Sequence, residues 1–245
     1  VQNPKLRKNA AAQKRVVEIL QKKQTLLAAD LIAQADTSRS TLRALEEQGI
    51  IALGTAVIER KVEWDQVPDQ KVTLTAEQKS AVETIQRELK GEGRPVLLHG
   101  VTGSGKTEVY LNVIADVIKQ GKQAIVLVPE IALTPQTVSR FAARFGDRIS
   151  VLHSGLSLGE RFDQWWKTYR GEVDVVIGAR SAVFAPTRCL GLIVLDEEHE
   201  TTYKQEEGSI RYHARDVAIK RCELEGAQAV LGSATPALES YHKAL

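Results

Sequence analysis

The stretch Gly100-Val101-Thr102-Gly103-Ser104-Gly105-Lys106-Thr107 spaces its glycines, lysine and hydroxyl as G-x-x-x-x-G-K-T. Glycines at these positions let backbone N–H groups turn inward around a polyphosphate. A lysine supplies a cation for the β- and γ-phosphates, and a threonine hydroxyl is a hard oxygen ligand suited to Mg²⁺. Gly103, Ser104, Gly105, Lys106 and Thr107 are therefore the candidate ATP/ADP-binding residues, with Thr107 also a candidate Mg²⁺ ligand. A second constellation lies downstream. The apolar run Leu192–Leu195 delivers Asp196 and Glu197, then Glu198 and His199. Asp196 is placed to share the Mg²⁺ shell and Glu197 to polarise the water that attacks a γ-phosphate. Lys106, Asp196 and Glu197 form the candidate catalytic set. His199 is read either as a relay of nucleotide state or as a hydrogen-bond partner of a neighbour. Ser233 and Thr235, within Gly232-Ser233-Ala234-Thr235-Pro236, are taken alone no more than turn residues before a proline. Ahead of the loop, Thr75 with Gln78 three residues on makes a capping box. The Gln78 amide also carries a donor and an acceptor that match the two edge atoms of adenine.

The elements that must position these groups follow from the apolar pattern. Val96–Leu98 reads as a buried strand and Val109–Ile118 as a helix, so the loop sits between strand and helix, where its helix N-terminus faces the anion. Ala124–Val128, Ile149–Leu152, Val173–Ile177, Leu192–Leu195 and Ala229–Leu231 are continuous apolar runs of strand length, separated by helical segments. That rhythm predicts an α/β fold, a doubly wound parallel sheet, with active groups at the carboxyl ends of the strands. The helix expected over Leu158–Tyr169 carries Trp165 and Trp166. Adjacent positions point to different helix faces, so one is expected in the core and the other at the surface.

Residues 1–60 differ in character. A basic Pro4–Asn9 precedes helical spacing over Ala10–Leu20 and a second helical stretch over Thr25–Ala35. Asp36-Thr37-Ser38 offers N-cap residues for a third helix that ends near Gly49. Ile50–Leu53 and Ala56–Ile58 flank Gly54-Thr55 like a short hairpin, so three helices and a hairpin predict a winged helix. Its third helix would expose Arg39 and Arg43, to DNA or to a protein partner. Residues 61–71, polar and containing Pro68, read as a linker in which Trp64 is expected to pack on a neighbour. Residues 72–245 carry the sheet.

Composition bounds the rest. The 245 residues carry a net charge of +2, which neither demands nor excludes nucleic acid. Neither a membrane-spanning apolar run nor a signal peptide is visible, so no membrane partner is expected. Cys189 and Cys222 show no zinc spacing and read as reduced thiols. The chain starts at Val1 and contains no Met, so a piece of a longer protein is expected.

Seven strings, LLHGVTGSGKTEVY, VPEIALTPQT, VLHSGLS, IGARSAVFAP, VLDEEH, YKQEEGSIRYHARDVA and GSATPALES, occur in order over residues 71–245. Together they resemble the PriA family, the bacterial primosomal replication-restart helicases of superfamily 2, and the winged helix ahead of them is similar in placement. The resemblance implies a P-loop RecA-like first helicase lobe and an ATP-dependent 3′-to-5′ DNA helicase acting at stalled forks. Gln78 then falls in the Q motif, and Ser233 and Thr235 in motif III. Thr134 falls in motif Ia, Arg180 and Ser181 in motif Ib, where phosphates are met without base readout. Tyr203–Asp216 resembles the family's aromatic-rich coupling loop, with Arg211, Tyr212 and His213 as DNA contacts; Ile210 stands where the family often has tryptophan. The implied partners are forked and single-stranded DNA, restart or primosome proteins and single-strand-binding protein, in the bacterial cytoplasm at the nucleoid. Zinc is expected only in a second lobe beyond these residues, which also holds the arginine finger; little hydrolysis is therefore expected of this piece alone. Two other readings stay open, lobe 1 of another superfamily 2 translocase and a nucleotide-gated docking module.

Overall fold

The computed structural model describes residues 11–54, 67–69, 72–206 and 210–245. They divide into two compact units, Val1–Ile58 and Glu59–Leu245.

In the first unit, α1 (Ala11–Lys23), α2 (Ala28–Ala35) and α3 (Arg39–Glu47) bury Val16, Leu31, Ala35, Leu42 and Leu45 together. The i, i+3 spacing of Leu42 and Leu45 puts both on the inner face of α3. Arg39 and Arg43 are exposed on the same helix. Of the cap candidates, Ser38 is the N-cap, whereas Asp36 adopts the left-handed conformation that ends α2. Residues 50–54 form no strand; 56–58, the other half of the expected hairpin, lie outside the described residues, as do Trp64 and the basic run at 4–9.

The second unit is built on a six-stranded parallel sheet. Its strands are β1 (Val96–His99), β2 (Gln123–Leu127), β3 (Ile149–Leu152), β4 (Val175–Gly178), β5 (Leu190–Leu195) and β8 (Gln228–Ser233), in the spatial order β1-β8-β5-β2-β4-β3. A short antiparallel pair, β6 (Lys204–Gln205) and β7 (Tyr212–His213), stands apart from it. The helices are α4 (Ala76–Lys90), α5 (Lys106–Lys119), α6 (Pro135–Phe145), α7 (Leu158–Arg170), α8 (Ala214–Glu225) and α9 (Leu238–Ala244). Parallel strands covered on both faces read as unbroken apolar runs, because alternate side chains both meet a core. Val126 and Val194 point to the side of Val109, Ile114, Val117 and Phe141, whereas Ile125, Ile193 and Leu195 point to the side of Ala214, Ala218 and Cys222. Each such aliphatic side chain contributes about 1.5–3 kcal/mol on burial.

β2 and β8 begin one residue before the apolar runs that announced them, because each opens on a buried glutamine. Gln228 starts β8 fully buried, its Nε2 donating to the Arg94 carbonyl at 2.6 Å. Gln123 starts β2 likewise, with Nε2 bonded to the Val173 carbonyl.

Burial separates the two cysteines. Cys189 is exposed, and burial pushes the Cys222 thiol up to about 12. The thiolate is the reactive form. An alkylating reagent at pH 8 is therefore expected to modify Cys189 in the native protein and Cys222 only after denaturation, as counted by mass spectrometry. Equal labelling of both in the native state would contradict this packing.

Candidate nucleotide and nucleic-acid site

The carboxyl ends of β1, β8 and β5 lie side by side, and the sequence motifs are the loops that leave them. The loop after β1 reverses through Gly103 and Gly105, with φ of 80° and 82°, a region open to glycine at no steric cost. Gly105 also faces the Gln78 side chain so closely that an added Cβ would overlap its Nε2. Lys106 opens α5, is 9% exposed, and donates from Nζ to the Gly100 carbonyl at 2.8 Å. The same Nζ lies 3.6 Å from Glu197 Oε1, so the loop lysine and the second acid of the β5 end face one another. Thr107 follows in the first turn of α5.

Asp196 leaves β5 with its carboxylate half-buried. Tyr110, one turn along α5 from Lys106, donates its phenol to Asp196 Oδ1 at 3.0 Å. Tyr203 donates its phenol to the Asp196 carbonyl at 2.7 Å. Burial raises the Asp196 carboxyl above its ordinary value, against the bond from Tyr110, and Glu197 next to it pushes the same way. Glu197 itself takes φ of 47°, left-handed for a non-glycine residue, a conformation that costs of order 1 kcal/mol and recurs at functional sites. Two adjacent carboxylates with a threonine hydroxyl are hard oxygen donors, the chemistry Mg²⁺ selects. Among the described residues no group of three or more His, Cys, Asp or Glu side chains could hold a metal alone, and an Mg²⁺ ion here would take the rest of its shell from water and substrate oxygens.

His199 lies on the β8 side. Its Nδ1 shares a hydrogen bond of 2.7 Å with Ser233 Oγ, and its Nε2 lies 3.3 Å from Thr235 Oγ1. Thr235 N–H donates to Ser233 Oγ at 3.0 Å, which closes a small network between the β5 and β8 ends. Nδ1 is also 3.7 Å from Glu197. Glu198 turns the other way, fully buried. Its carboxylate accepts from Arg215 at 3.2 Å, from Ser240 Oγ at 2.9 Å and from the Ala237 N–H at 2.7 Å.

Several sequence-predicted residues sit differently from expectation. The Thr75–Gln78 capping box is present, but it uses the amide that was matched to adenine: Gln78 Oε1 accepts from Thr75 N–H and Nε2 donates to the Ser104 carbonyl at 2.8 Å. Gln78 thus braces the loop between β1 and α5. Arg180 donates one Nη1 to the Thr202 and Lys204 carbonyls, so it straps the segment after β5, while Ser181 beside it is exposed. Thr134 is the N-cap of α6 and accepts from Thr137 N–H. His213 is the N-cap of α8: its Nδ1 accepts from Arg215 N–H, and burial followed by the nearby Arg215 charge lowers its basicity. Tyr212 packs edge-on against Phe184 at 5.1 Å, whereas Lys204, Glu206, Ile210 and Arg211 are exposed among the described residues of this hairpin. Neither tryptophan of α7 is in the core. Trp165 is 40% exposed and Trp166 half-buried, and with Phe162 and Tyr169 they pack on one another along the outer face. Sequence reasoning missed Tyr110, Tyr203, Arg215 and Ser240; the first three had a signal only in being polar residues within otherwise apolar or motif-bearing stretches.

The DEAD/DEAH box helicase family matches residues 75–244. The chain is 52% identical over 220 residues to the replication restart protein PriA of Bacillus subtilis, covering 89% of this chain and 27% of that protein. It is 49% identical over 218 residues to the PriA of Synechocystis, covering 87% and 26%. It therefore spans about a quarter of the length of these relatives. Among solved structures it is similar to RecG bound to a three-way DNA junction, with a TM-score of 0.53 and 26% identity over 71% of this chain and 23% of that one.

Proposed function

The chain belongs to the DEAD/DEAH box helicase family, and from that premise we propose that it forms the first motor lobe of a PriA-type replication-restart helicase, an ATP-driven 3′-to-5′ translocase on forked and single-stranded DNA. The observation that carries this reading is the meeting of Lys106, Glu197, Asp196 and the His199–Ser233–Thr235 network at three neighbouring strand ends. We place a winged helix over 1–60, a linker over 61–71 and the lobe over 72–245.

In this reading Gly103–Thr107 binds ATP, and Thr107 with Asp196 holds Mg²⁺, which when bound neutralises the polyphosphate. Lys106 exchanges its Gly100 contact for phosphate oxygens. Glu197, within 3.6 Å of Lys106 Nζ, is placed to orient water at the same centre. His199 senses the result through Glu197 and passes it to Ser233 and Thr235. Gln78 supports the loop and offers adenine what its bonds leave. On the nucleic-acid side Thr134, Ser181 and Arg211 face phosphates, with Arg39 and Arg43 as a second basic face, and Arg180, Tyr212 and His213 shape the surface that carries them. RecG, the structural neighbour, is solved with a DNA junction. Primosome and restart proteins, single-strand-binding protein and a cytoplasmic, nucleoid-associated location complete the proposal; among the described residues no helix is long and apolar enough to cross a membrane.

The test is calorimetry of ADP with Mg²⁺ and a titration of forked DNA. Mg²⁺-dependent ADP binding and salt-dependent DNA binding are the expected results, and absence of both would remove the proposal. Arg211→Ala should weaken fork binding and lower the slope of log affinity against log salt by about 0.7–1, the share of one phosphate contact. An unchanged slope would take the hairpin off the DNA path.

A further inference from the structure

Tyr110 is 1% exposed, and a buried phenol needs an acceptor. It finds Asp196 Oδ1, 3.0 Å away. The space for that contact comes from a third element. Gly232 of β8 backs onto the phenol, and a Cβ built there would overlap the Tyr110 hydroxyl. Asp196 is held on its main chain as well, its N–H donating to the Leu127 carbonyl at 2.9 Å and its carbonyl accepting from Tyr203. With the backbone fixed at both polar groups, the remaining freedom of Asp196 is the rotation of its carboxylate, and the Tyr110 phenol removes it.

We propose that Tyr110 is a positioning residue for nucleotide-bound Mg²⁺: it locks the Asp196 carboxylate in the orientation the ion requires, and Gly232 lacks a side chain so that it can. The proposal rests on the reading of Asp196 as a Mg²⁺ ligand. It ties the phosphate-loop helix, the acidic strand end and the glycine of the next strand to one hydrogen bond. Orienting partners of metal ligands are worth about 10–100-fold in metal affinity.

The experiment compares ADP affinity in Mg²⁺ and in excess chelator for the parent chain, Tyr110→Phe and Asp196→Asn, with thermal melts alongside. Tyr110→Phe keeps the ring and the packing. It is expected to cut the Mg²⁺-dependent gain in affinity about tenfold while leaving the chelator value within about twofold. A Tyr110→Phe protein with the parent's full Mg²⁺ gain overturns the proposal, and so does one whose two affinities fall together, which marks a purely structural role. If Tyr110→Phe does not fold, Gly232→Ala is the second variant. It should displace the phenol and lose the same gain, and retention of the gain counts against the proposal. If Asp196→Asn keeps the Mg²⁺ gain, or the parent has none, it is the reading of Asp196 that fails and the proposal falls with it.

Discussion

Lys106→Ala is expected to lower the affinity for ADP with Mg²⁺ by about 100-fold. The ammonium is buried at the mouth of the loop, 2.8 Å from the Gly100 carbonyl, and the helix that starts at this residue aims its N-terminal N–H groups at the same point. A hydrogen bond between charged groups contributes about 1.5–3 kcal/mol, which at 1.4 kcal/mol per factor of ten is roughly 10- to 150-fold. Alanine is also a good helix former, so α5 keeps its first turn. Glu197, left without its neighbour, is partly exposed and can be hydrated, so the melting temperature should stay within about 2 °C of the parent, less than 1 kcal/mol would give. Binding of forked DNA should survive, because Arg211 and Thr134 leave the sheet on other loops. Calorimetry with the variant decides the point: unchanged ADP affinity would put the nucleotide elsewhere, and loss of DNA binding together with ADP binding would merge two sites that the geometry keeps apart.

The parts of this site that could be read in advance were those whose function needs a fixed residue type at a fixed spacing. A loop that cradles phosphate must place glycine where φ is positive, and Gly103 and Gly105 do so. Strands of a sheet covered on both faces must be largely apolar, so six runs announced its six strands, and Thr75 with Gln78 announced the start of α4. What could not be read were contacts between residues far apart in the chain. Nothing local tells Tyr110 that Asp196 will lie opposite, or Glu198 that Arg215 and Ser240 will enclose it. The backbone partners of Arg180 and His213 were invisible for the same reason. Each has a side chain that suits DNA, and each spends it on backbone groups that tertiary folding brought within reach. The tryptophans of α7 failed in the opposite sense. Burial was assumed for one of them from helix geometry, but on this helix the buried positions are Gln164 and Thr168, and the aromatics cover each other instead.

Glu198 is where such a long-range contact has the largest energetic consequence. Its carboxylate is 0% exposed, and of its partners only Arg215 carries a compensating charge; Ser240 and the Ala237 N–H are neutral donors. Arg215→Met would fill much of the same volume while leaving a buried, uncompensated charge. Removing one partner of a buried pair typically costs about 3–5 kcal/mol. For a domain of this size that corresponds to a fall of roughly 10 °C in melting temperature. Glu198→Gln should cost less, about 1–2 kcal/mol. The charge is gone, the Ser240 hydroxyl can rotate to accept from the amide, and Arg215, 15% exposed, can turn toward water. The double variant Arg215→Met with Glu198→Gln should then lie well above the sum of the singles, a coupling that a double-mutant cycle measures directly. The site should register the change as well. Glu198 N–H donates to the Gly232 carbonyl at 2.9 Å, so a shift of Glu198 reaches the glycine against which Tyr110 rests. Arg215→Met is therefore expected to weaken Mg²⁺-dependent ADP binding although it touches neither the loop nor Asp196. An Arg215→Met protein that melts within about 2 °C of the parent would show that Glu198 needs no cation, and the buried pair would lose its place in the account of how this lobe is held together.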